Sequence, residues 1–263
     1  MLNQHGNDFI KILNNIKPSK NAYEVFSDWL VMAAAGLYSW KGDKAVEEEY
    51  LEIAKQYTRE ELEKHTQLLA IVVVALEEKY QDFLGEVFTT IKLANKQKGQ
   101  FFTPYHVSEF MAKAIIGGNE LPAGRVCKIS DPCCGAGGLL IAGAQVMKER
   151  GFNYQRNAFF VAQDIDARCA RMAYIQLSLL AMPAIIICGN SLTFETYWQR
   201  ETIGYHMAGM EYRLMAEEMR KLIENPEPQE TEIQEEKTET KIIALPPAQE
   251  YTQGELFVME EVI

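Results

Sequence analysis

The stretch DPCCGAGG, residues 131–138, lies between two apolar runs that cover residues 126–129 and 139–146. This order predicts a β-strand, a tight glycine turn and an α-helix. Glycine adopts positive φ angles without strain, and its missing side chain lets the backbone approach a ligand closely. The stretch therefore predicts a ligand-binding turn at the carboxyl end of a strand.

Strand and helix patterns alternate after this turn, which is typical of an α/β layer fold. The sequence predicts three strands and three helices between residues 126 and 224: strands over 126–130, 158–163 and 184–188, and helices over 139–150, 167–180 and 210–224. Asp166 is predicted to cap the second of these helices. Residues 193–209 contain no buried apolar run, so we predict no strand there.

The chain is predicted to have three parts. Residues 1–97 form an N-terminal helical domain, in which Thr58 and Glu61 have the spacing of a capping box at a helix start. Residues 98–223 form a Rossmann-like core. Residues 224–263 form an acidic tail whose Glu-, Gln-, Thr- and Pro-rich composition predicts disorder.

Charge and composition exclude some classes of protein. The tail carries 11 of the 37 acidic residues and 2 of the 26 basic residues, which leaves residues 1–223 with 26 acidic and 24 basic residues. This nearly neutral body neither supports nor excludes DNA binding. No apolar run approaches the roughly 20 residues that a membrane-spanning helix needs. The five cysteines lack disulfide or zinc spacing, so we expect reduced thiols, no membrane contact and a cytoplasmic location.

Two further motifs precede the glycine turn, DFLGEVF at residues 82–88 and GQFFTP at residues 99–104. With DPCCGAGG, they resemble the N6-adenine DNA methyltransferase family, specifically the methylase (M) subunits of type I restriction-modification systems, as a truncated or divergent member. In that group D-P-x-C-G-[ST]-G-G binds S-adenosylmethionine. The resemblance covers residues 82–192. It implies an incomplete class I S-adenosylmethionine-dependent methyltransferase core, preceded by an α-helical domain, and site-specific adenine N6-methylation of DNA.

The resemblance also implies which residues bind the cofactor. Asp131 follows the first strand, and Asp164 follows the second, where doubly wound folds place the acid that binds ribose. Asn190 is expected beside the adenine, although the family usually has aspartate there, and the GQFFTP segment is expected to close over the methionine moiety. The complete predicted set is Phe101, Thr103, Pro104, Asp131, Cys133, Gly135, Gly137, Asp164, Ile165, Asn190 and Ser191. No metal site is expected.

The catalytic signature of the family, [ND]-P-P-[FY], is absent from the sequence. In the family, its first residue and the first proline carbonyl accept hydrogen bonds from the adenine amine, and its aromatic ring stacks on the flipped base. The nearest segment is Leu245-Pro246-Pro247, which is followed by Ala248. This segment is either a degenerate motif or a turn in the tail, and it has neither the side-chain acceptor nor the ring.

Three functions therefore remain open. The chain is a methyltransferase with a divergent or partner-supplied target half, a methyltransferase-derived binding protein that acts on DNA through partners, or a structural interaction module. An unfinished sheet leaves an exposed edge, which favours a homodimer or a second subunit. Gln253, Leu256 and Phe257 match the Q-x-x-L-F peptide that docks on the replication sliding clamp, or they are a chance apolar end of the tail.

Overall fold

A computed structural model describes residues 2–94, 102–118, 121 and 125–224. In chain order its elements are α1 (Gln4–Asn14), α2 (Ala22–Tyr38), a 3-10 turn (Ser39–Lys41), α3 (Lys44–Ala54), α4 (Arg59–Glu78), α5 (Phe83–Ala94), α6 (Tyr105–Ile116), β1 (Cys127–Asp131), α7 (Gly138–Glu149), α8 (Tyr154–Asn157), β2 (Ala158–Asp164), α9 (Ala167–Leu179), β3 (Ala184–Asn190), β4 (Glu195–Glu201), α10 (Ile203–Met207) and α11 (Met210–Glu224). Within this described part, no helix is both long and apolar enough to cross a bilayer.

Side-chain caps fix the starts of the N-terminal helices. The predicted capping box of α4 is confirmed: Thr58 Oγ1 accepts the Glu61 N–H at 3.3 Å, and Glu61 Oε2 accepts the Thr58 N–H at 2.8 Å. Asn21 and Glu24 form the same reciprocal pair at the start of α2. Such caps satisfy backbone donors that the first turn of a helix leaves unpaired.

One hydrophobic core extends from the N-terminal helices to the sheet. In the helical part, Trp29 is fully buried against the ring of Phe9, and its indole N–H donates to the His65 carbonyl at 3.1 Å. At the sheet, α2 packs on α9, where Tyr38 contacts the ring of Tyr174. The predicted domain boundaries at residues 97 and 223 stay predictions.

The three predicted strands are confirmed, and they form a parallel sheet in the order β1-β2-β3. Alternating side chains point to opposite faces. Phe160 packs with α7 and α9 on one face, and Phe159 packs with Tyr205 and Met210 from α10 and α11 on the other. Helices therefore cover both faces, as parallel sheets require.

The prediction that residues 193–209 hold no strand is wrong. Strand β4 occupies Glu195–Glu201 and pairs antiparallel with β3, with a register irregularity between Cys188 and Gly189. Most of its side chains are exposed, so β4 lacks the apolar run by which buried strands are recognised. It is an edge strand, and among the described strands the opposite edge is β1.

Replacing Gly189 with alanine is expected to weaken the β3–β4 pairing. A Cβ at this position would lie 2.2 Å from the Glu195 carbonyl oxygen and 3.0 Å from the Thr196 Cα. Because both neighbours are backbone atoms, the strand itself must shift, and we expect a loss of about 1–3 kcal/mol in the free energy of unfolding. Urea denaturation measures this loss. The control is Gly36→Ala, because a Cβ there meets nothing within 4 Å; equal stability of both variants would contradict the prediction.

Candidate functional site

The glycine turn begins where β1 ends, and backbone hydrogen bonds hold it against the end of β2. The Cys134 N–H donates to the Gln163 carbonyl at 2.8 Å, and the Gly137 N–H donates to the Cys134 carbonyl at 2.8 Å. Asp164 Oδ2 accepts the Gly135 N–H at 2.9 Å. The second predicted acid therefore fixes the turn that follows the first strand.

Two glycines in the turn are required by their conformation and by their surroundings. Gly135 and Gly137 have φ angles of 55° and 91°. A Cβ at Gly135 would lie 2.9 Å from the Phe102 ring, and one at Gly137 would lie 2.8 Å from a Leu177 methyl. A side chain at either position would close the space between the turn and its neighbours.

A cavity of about 360 Å³ opens over this turn. Its volume lies within the range of small-molecule sites. Five of the predicted cofactor residues line it: Thr103, Asp131, Cys133, Gly135 and Asp164. The structure thus brings residues from the strand ends, the turn and the GQFFTP segment to one place.

Both strand-end carboxylates are partly withdrawn from solvent. Burial raises the pKa of Asp131, while the Cys133 N–H that donates to its Oδ1 at 3.1 Å opposes that rise. Burial also raises the pKa of Asp164, and the N–H groups of Asp166 and Gly135 oppose it. The site is therefore an acidic, half-buried cavity that suits a ligand with hydroxyl groups or positive charge.

The five other cofactor residues of the predicted set that the structure describes are not among those that line this cavity. Pro104 borders an adjoining cavity, and Gly137 is buried behind the turn. Ile165 is 56 % exposed, and Ser191 follows the last residue of β3. Asn190 Oδ1 accepts the N–H groups of residues 192 and 193 at 2.9 and 3.3 Å, which closes the turn into β4.

Several sequence predictions fall outside the described residues. They are Phe101 of the cofactor set, the degenerate motif Leu245, Pro246 and Pro247, and the clamp-docking residues Gln253, Leu256 and Phe257. All of these stay predictions. Among the residues that the structure describes, no cluster of three or more His, Cys, Asp or Glu side chains could hold a metal ion.

The structure adds cavity residues that the sequence-based prediction missed. Asp82, at the start of α5, and Ser108 and Met111, on α6, line the same cavity. Asp82 stands first in the DFLGEVF motif, so its position was visible, but the motif alone gave it no role. Ser108 and Met111 follow the GQFFTP segment and carry no comparable signal.

The sheet has three parallel strands and one antiparallel strand, with a glycine turn and two strand-end acids around one cavity, and this is the predicted incomplete class I S-adenosylmethionine-dependent methyltransferase core. The chain belongs to the N-6 DNA Methylase family, whose model matches residues 76–247. The match includes the DFLGEVF, GQFFTP and DPCCGAGG motifs.

Two solved structures are among those similar to this chain. One is described as a putative class I S-adenosylmethionine-dependent methyltransferase from Listeria monocytogenes. It is 14 % identical in sequence with a TM-score of 0.40, and the aligned region covers 70 % of this chain and 52 % of the Listeria chain. Another is the methyltransferase subunit of a type I restriction-modification system from Streptococcus thermophilus. It is 13 % identical with a TM-score of 0.35, and the aligned region covers 68 % of this chain and 55 % of the Streptococcus chain. The chain thus spans about half the length of these proteins. No curated protein matches it.

Proposed function

We propose that this chain binds S-adenosylmethionine in the cavity above the glycine turn and serves as the cofactor half of an adenine-N6 DNA methyltransferase. The observation that carries the proposal is the meeting of Asp131, Gly135 and Asp164 in one cavity. Membership of the N-6 DNA Methylase family supports it independently.

The residues present fit this cofactor. The position of Asp164 at the end of β2 suits hydrogen bonds from the ribose hydroxyls. Glycine at position 135 leaves room for the Phe102 ring, which a Cβ there would meet at 2.9 Å, and the turn and this ring both line the cavity. When bound, S-adenosylmethionine supplies a methyl group on a positively charged sulfonium. The acidic cavity favours that charge.

We further propose that another polypeptide supplies the target half, which is the part of the enzyme that binds DNA and presents the adenine. No [ND]-P-P-[FY] sequence occurs in the 263 residues, so the chain lacks both the side-chain acceptor and the stacking ring that adenine transfer uses. The outer edge of β1 has no paired strand among the described residues. We propose DNA as the substrate. It would be bound by a complex in which a further polypeptide presents the adenine base.

An apolar stripe on α6 is consistent with such a complex. Val107, Phe110, Met111 and Ile115 are exposed on this helix, and Phe110 is 73 % exposed. The same helix buries Ala112 against α7. A helix with a second apolar stripe in water is typical of a surface that another chain covers. The clamp-docking peptide remains a separate proposal that nothing in the described structure supports.

Calorimetric titration of S-adenosylmethionine into the full chain tests the proposed function. We expect one site with a micromolar dissociation constant, about 6–8 kcal/mol of binding free energy. S-adenosylhomocysteine should compete for the site, and ATP should not. Gly135→Val is expected to abolish binding, because its side chain would meet the Phe102 ring. A folded wild-type chain that gives no heat with S-adenosylmethionine would overturn the proposal.

A further inference from the structure

A third carboxylate, that of Asp82, lies at the cofactor cavity in an unusual environment. Asp82 is only 4 % exposed, and burial raises its pKa to about 6. Among the described residues, the one charged group that affects this pKa is Glu86, another acid. Burying a carboxylate without a cationic partner costs free energy. At a functional site, a bound ligand with positive charge can serve as that partner.

The orientation of Asp82 is fixed by hydrogen bonds to a single oxygen. Its Oδ1 accepts the Gly85 N–H at 3.0 Å, as the cap of α5, and the Gln176 side-chain amide at 2.9 Å. The Gln176 amide also donates to the Ala136 carbonyl at 2.8 Å, and its oxygen accepts the Leu84 N–H at 3.0 Å. Asp82 is therefore held between α5, α9 and the glycine turn.

The other oxygen of the carboxylate lies between Gly85 of α5 and Gly138 at the start of α7, and a Cβ added at Gly85 would collide with it. A Cβ added at Gly138 would be 3.0 Å from Asp82 Oδ2. Asp82 shares the main cavity with Thr103, Asp131 and Gly138, and it borders the adjoining cavity together with Phe102 and Thr103. It thus lies on the side of the site formed by the GQFFTP segment, where we place the methionine moiety of the cofactor.

We propose that Asp82 is the counter-ion of the methionine ammonium group of S-adenosylmethionine. The inference rests on the proposed function. The ammonium is the group on this cofactor that combines positive charge with N–H donors, whereas the sulfonium has no hydrogen to donate. A carboxylate held in place by its first oxygen offers the second to such a donor, and charge-assisted hydrogen bonds of this kind are the strong ones.

The test compares ligands with and without the amino-acid moiety on wild type and Asp82→Asn. Asparagine keeps an oxygen that can cap α5 and accept from Gln176, but it removes the charge. We expect the variant to bind S-adenosylmethionine and S-adenosylhomocysteine about 10- to 100-fold more weakly. Its affinity for 5′-methylthioadenosine, which lacks the amino-acid moiety, should stay within about twofold.

Glu77→Gln is the matched control, since it changes the net charge equally from an exposed position on α4 that lines neither cavity. Its affinities for all three ligands should equal those of wild type, and the melting temperatures of the ligand-free variants should show that both fold. An equal loss for 5′-methylthioadenosine in Asp82→Asn, or no loss for any ligand, would overturn the role of Asp82 while leaving the proposed function intact. Failure of the wild type to bind S-adenosylmethionine would instead overturn the proposed function, and this inference with it.

Discussion

Replacing Asp164 with alanine is expected to lower the affinity for S-adenosylmethionine by about 100-fold or more. The variant removes the acceptor of the Gly135 N–H, which Asp164 Oδ2 binds at 2.9 Å, and the proposed acceptor of the ribose hydroxyls. Each hydrogen bond to a charged group contributes about 1.5–3 kcal/mol, and each 1.4 kcal/mol is a factor of ten in affinity. Two hydrogen bonds from the ribose hydroxyls to this carboxylate account for the stated effect, whereas the bond from the Gly135 N–H is already present without ligand and its loss acts only through the position of the turn.

Calorimetry at fixed pH and salt measures this loss, and Asp166→Asn provides its control. Asp166 lies two residues further on and accepts the Arg168 N–H at the start of α9, a role that asparagine also fills. The control should bind within about twofold of wild type. Wild-type affinity in Asp164→Ala would mean that the ligand does not use the carboxyl end of β2, and the assignment of the cavity would fail.

The centre of the fold was predictable because its signals are local. Strands β2 and β3 are largely buried and apolar, so their runs stood out from their surroundings, whereas β1 was recognisable because it directly precedes the glycine turn. Asp131 and Asp164 are the last residues of β1 and β2, and the glycine turn follows β1 directly in sequence. Their meeting in one cavity follows from the parallel order of the strands.

Strand β4 could not be predicted, because distant residues stabilise it. Glu49 of α3 pairs with Arg171 of α9 and with Arg200 of β4, the second at 3.3 Å. The Arg200 guanidinium is also 4.9 Å from the centre of the Trp198 ring and 5.6 Å from that of Tyr38. These partners lie up to 151 residues apart, so no local pattern shows that a polar edge segment has them.

The role inferred for Asp82 also depends on contacts between residues that are far apart in the sequence. Its capping bond to Gly85 is local, and a sequence reader can expect it. Its bond to Gln176 joins residues 94 positions apart, and its approach to Gly138 depends on how α5 meets the glycine turn. Sequence alone therefore identified the motif by its resemblance to the family and did not place Asp82 in the wall of the cavity.

The second large effect concerns the reaction itself: the chain alone is expected to transfer no methyl group to DNA. The exocyclic amine of adenine is a poor nucleophile, and the family polarises it with the acceptors of [ND]-P-P-[FY] while the base is held outside the duplex. The one Pro-Pro pair in this chain lies between Leu245 and Ala248. Leucine provides no side-chain acceptor, and alanine provides no ring, so cofactor binding and methyl transfer should be separable here.

Tritium incorporation from labelled S-adenosylmethionine into duplexes of varied sequence measures this directly. The expected counts equal those of a reaction without protein, under conditions where calorimetry shows the cofactor site occupied. Incorporation that Asp131→Ala abolishes would contradict the prediction, because the activity would then belong to this cavity and not to a contaminant. If transfer appears only after a polypeptide with the missing motif is added, this chain is the cofactor half of an active site that two polypeptides form together. The edge of β1 and the stripe on α6 are then the surfaces on which to place the other half.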